Sequence, residues 1–261
     1  MNAPTAFVEN ALRVGLKESK ESLYAVRGSM WAVISAIVLS LMSYLLLTDA
    51  ELSLLDQSEM LYIIASLAVG LGLLVGGILA GDSIAGERER GTLEGLLLAP
   101  VGRGPLMLGK IGAIVAAWLL VFAISVPYVL VVGSGTGLSG PALLYTFLLG
   151  TLCVAGFTSL TVGISCLASS GRNVTLAALA IFIGMAAPTL LGTVLQNSWF
   201  GTIYNASSPF AQVRLSLDSV IVDREGLAVQ LPHLGALVAF VVLAGAFAAI
   251  AARRISLEGS Q

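Results

Sequence analysis

Met60-Leu-Tyr-Ile-Ile-Ala-Ser-Leu-Ala-Val-Gly-Leu-Gly-Leu-Leu-Val-Gly-Gly-Ile-Leu-Ala80 carries no charge and runs directly into Gly81-Asp-Ser-Ile-Ala-Gly-Glu87-Arg-Glu-Arg-Gly91-Thr-Leu-Glu94. A helix needs about 20 mostly apolar residues to cross a hydrocarbon layer. The first stretch meets that length, and the second is a dense polar segment set against its end. Five more charge-free runs lie on either side: Trp31 to Leu47, Ile111 to Val132, Ala142 to Ala168, Val174 to Leu195 and Leu234 to Ala252. In lipid a backbone must satisfy its own polar groups, so these runs predict helices. The alternating ten-residue strands of a membrane barrel are absent.

Composition agrees. The 261 residues are 57% hydrophobic and 11% charged, with a mean hydropathy of +0.96. Soluble domains carry about a quarter charged residues. A net charge of −2 gives no footprint for nucleic acid. Two cysteines and one histidine exclude a disulfide framework and argue against a zinc site built by this chain. The expected fold is all-α: a polytopic membrane protein with six transmembrane helices in a single domain over 1–261.

Basic residues orient it. Eleven of the 13 fall on one side, namely Arg13, Lys17, Lys20 and Arg27 before the first span, Arg88, Arg90, Arg103 and Lys110 after the second, Arg172 after the fourth, and Arg253 and Arg254 after the sixth. The other side keeps Arg214 and Arg224, with Asp49, Glu51, Asp56 and Glu59 in its first loop. Both termini are therefore expected in the cytoplasm. The first apolar run starts too late and is too long for a cleavable signal peptide. Ahead of it, Val8, Leu12, Leu16 and Leu23 recur at helical spacing, with Glu9, Arg13, Lys17, Lys20 and Glu21 elsewhere. Residues 1–28 are thus expected to form an amphipathic interfacial helix, although a solvated leader would have the same composition.

Several fragments imitate soluble-enzyme motifs. Gly104-Pro-Leu-Met-Leu-Gly-Lys110 has phosphate-loop spacing, but Ile111 replaces the magnesium-binding hydroxyl and no strand precedes it. Gly135-Thr-Gly-Leu-Ser-Gly140 fits a dinucleotide fingerprint, but it lies in a short turn between spans with no acidic residue at the required distance. Ser165 and His233 are expected near opposite faces of the membrane, too far apart for a nucleophile and its base. Cys153 and Cys166 are about 20 Å apart on one helix and read as packed thiols.

The informative segment is the cytoplasmic loop expected at 81–110. Glu87, Arg88, Glu89 and Arg90 form a mixed-charge cluster. Thr92 stands at a helix start with Glu94 in the first turn, where a carboxylate meets the helix dipole favourably. Leu93, Leu96 and Leu97 give a short apolar face and Pro100 ends it. Such a helix suits docking of a soluble partner, and the same composition suits a charged loop lying on headgroups.

The run Asp82-Ser-Ile-Ala-Gly-Glu-Arg-Glu-Arg-Gly-Thr-Leu-Glu94, followed by Leu97-Leu98, Ala99-Pro-Val101, Arg103 and Leu108-Gly-Lys110, resembles the permease subunits of ABC type-2 exporters. It is most similar to the branch associated with multicopper-enzyme maturation and sodium or drug efflux. The resemblance implies that the loop is a coupling helix seated in a separate ATP-binding subunit. Glu87, Arg88, Glu89, Arg90, Gly91, Thr92 and Glu94 would then be coupling residues, with Arg103 and Lys110 at the membrane re-entry. It also implies a second permease protomer, generally a homodimer, and no cofactor in this chain, since ATP and magnesium belong to the partner. Residues 196–233, with Trp199, Phe200 and Tyr204 suited to an interface belt, would partly re-enter the membrane from outside. Ser208-Pro209 would start a short helix carrying Phe210, Val213, Leu217 and Val220, and the polar run of Asp218, Asp223, Arg224 and Glu225 would end the re-entry.

Ionisable groups inside spans are the usual mark of ion-coupled transport, and the six runs hold none. Energy from an external ATPase fits. An ion-coupled secondary transporter and a non-transport membrane scaffold are the alternatives. Ser35, Ser40, Ser66, Thr158, Ser159 and Thr161 are the hydroxyls available to a permeant, and Gly70, Gly72, Gly76 and Gly77 would allow close helix contacts. The expected location is the cytoplasmic (inner) membrane, among its lipids.

Overall fold

A computed structural model of the chain describes residues 3–24, 26–48, 56–93, 102–190 and 198–254. Among these residues there are helices and no strands. In chain order they are α1 (Ala3–Tyr24), α2 (Val26–Thr48), α3 (Gln57–Glu89), α4 (Arg103–Val132), α5 (Ser139–Leu167), α6 (Gly171–Leu190), α7 (Trp199–Ser207), α8 (Pro209–Ile221) and α9 (Leu227–Arg253).

Among the described residues, five stretches are long and apolar enough to cross a membrane: Ser29–Thr48, Gln57–Glu89, Arg103–Val132, Ser139–Leu167 and Val229–Arg253. Where a fifth span was expected over Val174–Leu195, α6 begins at Gly171 and is helical to Leu190, the last described residue of this stretch. Residues 191–197 lie outside the described residues.

α3 is the central element, packing on α4, α5, α6 and α8. Its glycines let it do so. A Cβ on Gly72 would lie 2.2 Å from the Trp118 ring, which is itself fully buried and donates from its indole to Thr151 Oγ1 at 3.0 Å. The glycine stripe expected to allow close helix contacts is filled at Gly72 by Trp118, and at Gly77 the Phe157 ring approaches to 2.9 Å of a built Cβ.

Two boundaries differ from the sequence expectation. The loop expected from Gly81 begins only after Glu89, because α3 continues through a π segment at Asp82–Gly86. The third span, expected from Ile111, starts at Arg103, where Gly102 precedes it in extended backbone. Lys110, read as a loop residue, therefore lies inside α4.

α1 packs along the first half of α4. Gly15 and Gly109 meet there, with Val14 at 2.7 Å from a Cβ built on Gly109. Val8, Leu12 and Leu16 are exposed along the edge of that contact, where they line a groove with Leu108 and Gly112 of α4. At the far end of α3, Ser208 caps α8: its hydroxyl accepts from Ala211 N at 3.3 Å and donates to Met185 O at 2.9 Å, with Pro209 in the first turn. Phe210, Val213, Leu217 and Val220 are buried on α8 as their spacing predicts. Asp223, Arg224 and Glu225 lie in the exposed turn after it.

Candidate functional site

The polar end of α3 is assembled by contacts from four other helices. A π turn widens the helix and releases backbone groups from their usual partners. Ser165 of α5 takes up three of them. Its hydroxyl accepts from Ala85 N at 2.9 Å and Ile84 N at 3.3 Å and donates to Gly81 O at 3.1 Å. The serine set aside as a nucleophile is a structural bridge. Gly81 is required at this crossing, since a Cβ would lie 2.4 Å from Thr175 Oγ1 of α6.

The charges follow within two turns. Arg88 reaches the end of α5, donating to Ala168 O and, at 3.1 Å, to Cys166 O. These carbonyls belong to a helix C-terminus, where a cation is favourable. Arg90 folds back onto Asp82, at 2.6 Å and 2.7 Å to the two carboxylate oxygens. Glu89 faces outward and is exposed.

Gly91 closes the helix. Its φ of +71° is left-handed, its N–H donates to Arg88 O, and Thr92 N donates to Glu87 O at 3.0 Å. This is a Schellman ending, which favours glycine. The Thr92 hydroxyl also donates back to Glu87 O, at 3.2 Å. Thr92 does precede a helical residue, Leu93, as expected, but its hydroxyl serves the helix behind it. Glu94, Leu96, Leu97 and Pro100, and with them the body of the expected coupling helix, lie outside the described residues.

Lys110 is the most buried charge in this region, at 3% exposure. Its Nζ lies 2.7 Å from Glu87 Oε1 and 3.0 Å from Glu18 Oε1. One cation is thus held between two carboxylates from different helices, and the trio has a formal charge of −1. Burying a charge is costly unless it is paired and hydrogen-bonded, which two carboxylates achieve for Lys110. The other oxygen of Glu87, Oε2, is buried without a partner among the described residues. Arg103, at the start of α4, donates to Arg253 O at the end of α9, at 3.2 Å.

Glu87 and Lys110 therefore meet, joined by Glu18, whereas Arg88 serves the end of α5, Arg90 pairs locally, Glu89 stays free of the cluster and Arg103 serves α9. Sequence reasoning missed Glu18, Asp82 and Ser165. Glu18 carried a signal. Ala11, Gly15 and Glu18 recur at helical spacing, two small residues and an acid on the face that meets α4. The picture of wholly uncharged helices is corrected at this end, because Lys110 is buried within α4.

Gly104 to Lys110, which imitates a phosphate loop, is helical, and its lysine is committed to carboxylates. Among the described residues no group of three His, Cys, Asp or Glu could hold a metal ion.

Residues 33–254 match the family model described as ABC-2 family transporter protein. A search of curated proteins finds no match. The matched region contains all five membrane-length helices or most of each, so the chain is a multi-pass membrane protein.

Proposed function

The chain belongs to the ABC-2 family of transporter proteins, and from that membership we propose that it is the permease subunit of an ABC exporter. It moves its substrate across the cytoplasmic membrane with ATP hydrolysed by a separate subunit. The ATP and magnesium sites reside in that partner, and a second permease protomer completes the path. α6 serves as the remaining span, giving six. The polar end of α3 and both termini face the cytoplasm, with α1 lying in the interface and its exposed Val8, Leu12 and Leu16 toward lipid.

One observation carries this reading. The last turn before the 90–102 segment is tied to α1 and α4 through Lys110 and to α5 through Arg88. A push on the segment after Glu89 reaches three other helices without depending on a flexible linker. Glu89 and Glu94 are then the acidic groups presented to the ATPase. The segment at 196–233 re-enters from outside through α7 and α8.

Purification of the tagged chain together with its nucleotide-binding subunit tests this. A Glu89→Ala, Glu94→Ala variant should assemble normally, since exposed Glu89 supports no contact described above, and should lose or uncouple the ATPase. If no ATPase accompanies even the wild-type chain, the exporter reading fails. A proton- or sodium-dependent flux would then favour a secondary transporter, and its absence a scaffold.

A further inference from the structure

A cleft of about 770 Å³ opens between α2, α3, α4 and α6 beside the Lys110 cluster. Its lining changes character in the same direction on α3, α4 and α6. On α3, Ile78 and Leu79 line it first, Asp82 follows about one turn on and Glu87 more than a turn beyond that. On α4, Lys110 is followed one turn on by Ala113 and Ile114. On α6, Arg172 is followed by Leu176. α3 runs toward the charged end whereas α4 and α6 run away from it, so the three pairs place charge at one end and hydrocarbon at the other. A cavity polar at one end and apolar at the other fits an amphiphile lying parallel to the helices.

The polar end specifies the headgroup. Asp82 and Arg90 satisfy each other, and Lys110 is held by two carboxylates. Two groups are left over among the described residues. Glu87 Oε2 is a buried acceptor with no donor among the described residues. Arg172 is exposed on the cleft wall. Gly171 packs against the backbone of Gly86, with a built Cβ 3.1 Å from Gly86 N, so the residues after each glycine share one end of the cleft. A buried acceptor calls for an N–H donor, and an exposed guanidinium calls for phosphate.

The geometry points to a phospholipid with a primary amine, such as phosphatidylethanolamine, bound with its ammonium on Glu87 Oε2, its phosphate on Arg172 and a chain along Ile78 and Leu176. Phosphatidylcholine offers the same phosphate and chains but no N–H, so it separates the two contacts. The site goes beyond the ATPase reading, and it stands or falls separately because lipid retention can be measured with no ATPase bound.

The full chain is purified in mild detergent, equilibrated with equal amounts of phosphatidylethanolamine and phosphatidylcholine, and its retained lipid counted by native mass spectrometry. The wild type should retain the ethanolamine lipid about tenfold over the choline lipid, as one charge-assisted hydrogen bond would give. Glu87→Gln should remove that preference, and Arg172→Gln should weaken retention of both lipids. Leu176→Trp, at an exposed position that fills the apolar end, should displace both. Equal retention of the two lipids by the wild type overturns the proposal even if the Glu87 variant fails to assemble. Retention indifferent to Arg172→Gln and Leu176→Trp also overturns it. Free phosphoethanolamine should compete poorly, and competition as strong as the lipid's would make the ligand a soluble amine phosphate and overturn the amphiphile.

Discussion

At the Tyr62 end of α3, the neighbouring helices are joined mostly by neutral groups. Ser216 donates to Gln230, Gln230 donates to Ser219 Oγ at 2.7 Å, Gln212 meets His233 at 2.6 Å, and Arg214 donates to the Tyr62 hydroxyl at 2.9 Å. Roughly 37 Å along the same helix, the Glu87 end uses full charges: Lys110 between Glu18 and Glu87, Arg88 on the end of α5, Arg90 on Asp82. Neutral networks hold a fixed arrangement at modest net energy. Buried charges are costly to separate and respond strongly to any change in their partners. A bundle built this way has one end held by neutral groups and another held by charges, and the charged end adjoins the segment proposed above to meet the ATPase.

Removing the charge at the centre of the second network should have the largest effect. Lys110→Met leaves Glu18 and Glu87 facing each other and should cost roughly 3 kcal/mol, read as a lower melting temperature in detergent. A melting temperature equal to wild type would show that the cluster is solvated and the contrast between the ends false. Ser165→Ala strips the Ile84 and Ala85 amides and the Gly81 carbonyl of their bridge and should cost about 2 kcal/mol. Hydrogen exchange should quicken at Ile84 and Ala85 and stay unchanged around α8. Gln230→Leu, in the neutral network, should cost only about 1 kcal/mol. A loss as large as that of Lys110→Met would erase the distinction.

The smallest effect belongs to Asp218. Burial pushes its carboxyl above the ordinary value, helped by Asp223 and opposed by Arg214. A raised folded-state value means that this group favours folding at low pH and that its contribution falls as pH rises through that value. Asp218→Asn should therefore be slightly more stable than wild type at neutral pH, and the gap should close on acidification. A gap that widens in acid would mean that Arg214, not burial, governs the site.

Much of the fold was legible because lipid-length apolar runs are a property of one stretch of chain at a time. The start of α8 was equally plain, since Ser208 and Pro209 signal a helix by local chemistry. The site was less so. Nothing in Gly81 to Glu89 says that the helix continues, because the π turn depends on a hydroxyl eighty residues away. Lys110 looked like a loop cation because its partner Glu18 is remote in sequence. Ser165 was judged by whether it had a catalytic base, when its work is to hold backbone. Residues whose roles come from neighbours on other helices are the ones a single-sequence reading places poorly.

The most direct test of the account is ATP turnover by the purified complex, wild type against Lys110→Met, with ATPase stoichiometry measured in the same sample. Transmission through the Glu87 end predicts that the ATPase still binds at wild-type stoichiometry while its turnover no longer responds to the permease. Wild-type turnover in the Lys110→Met complex, or no ATPase bound to either chain, would contradict it.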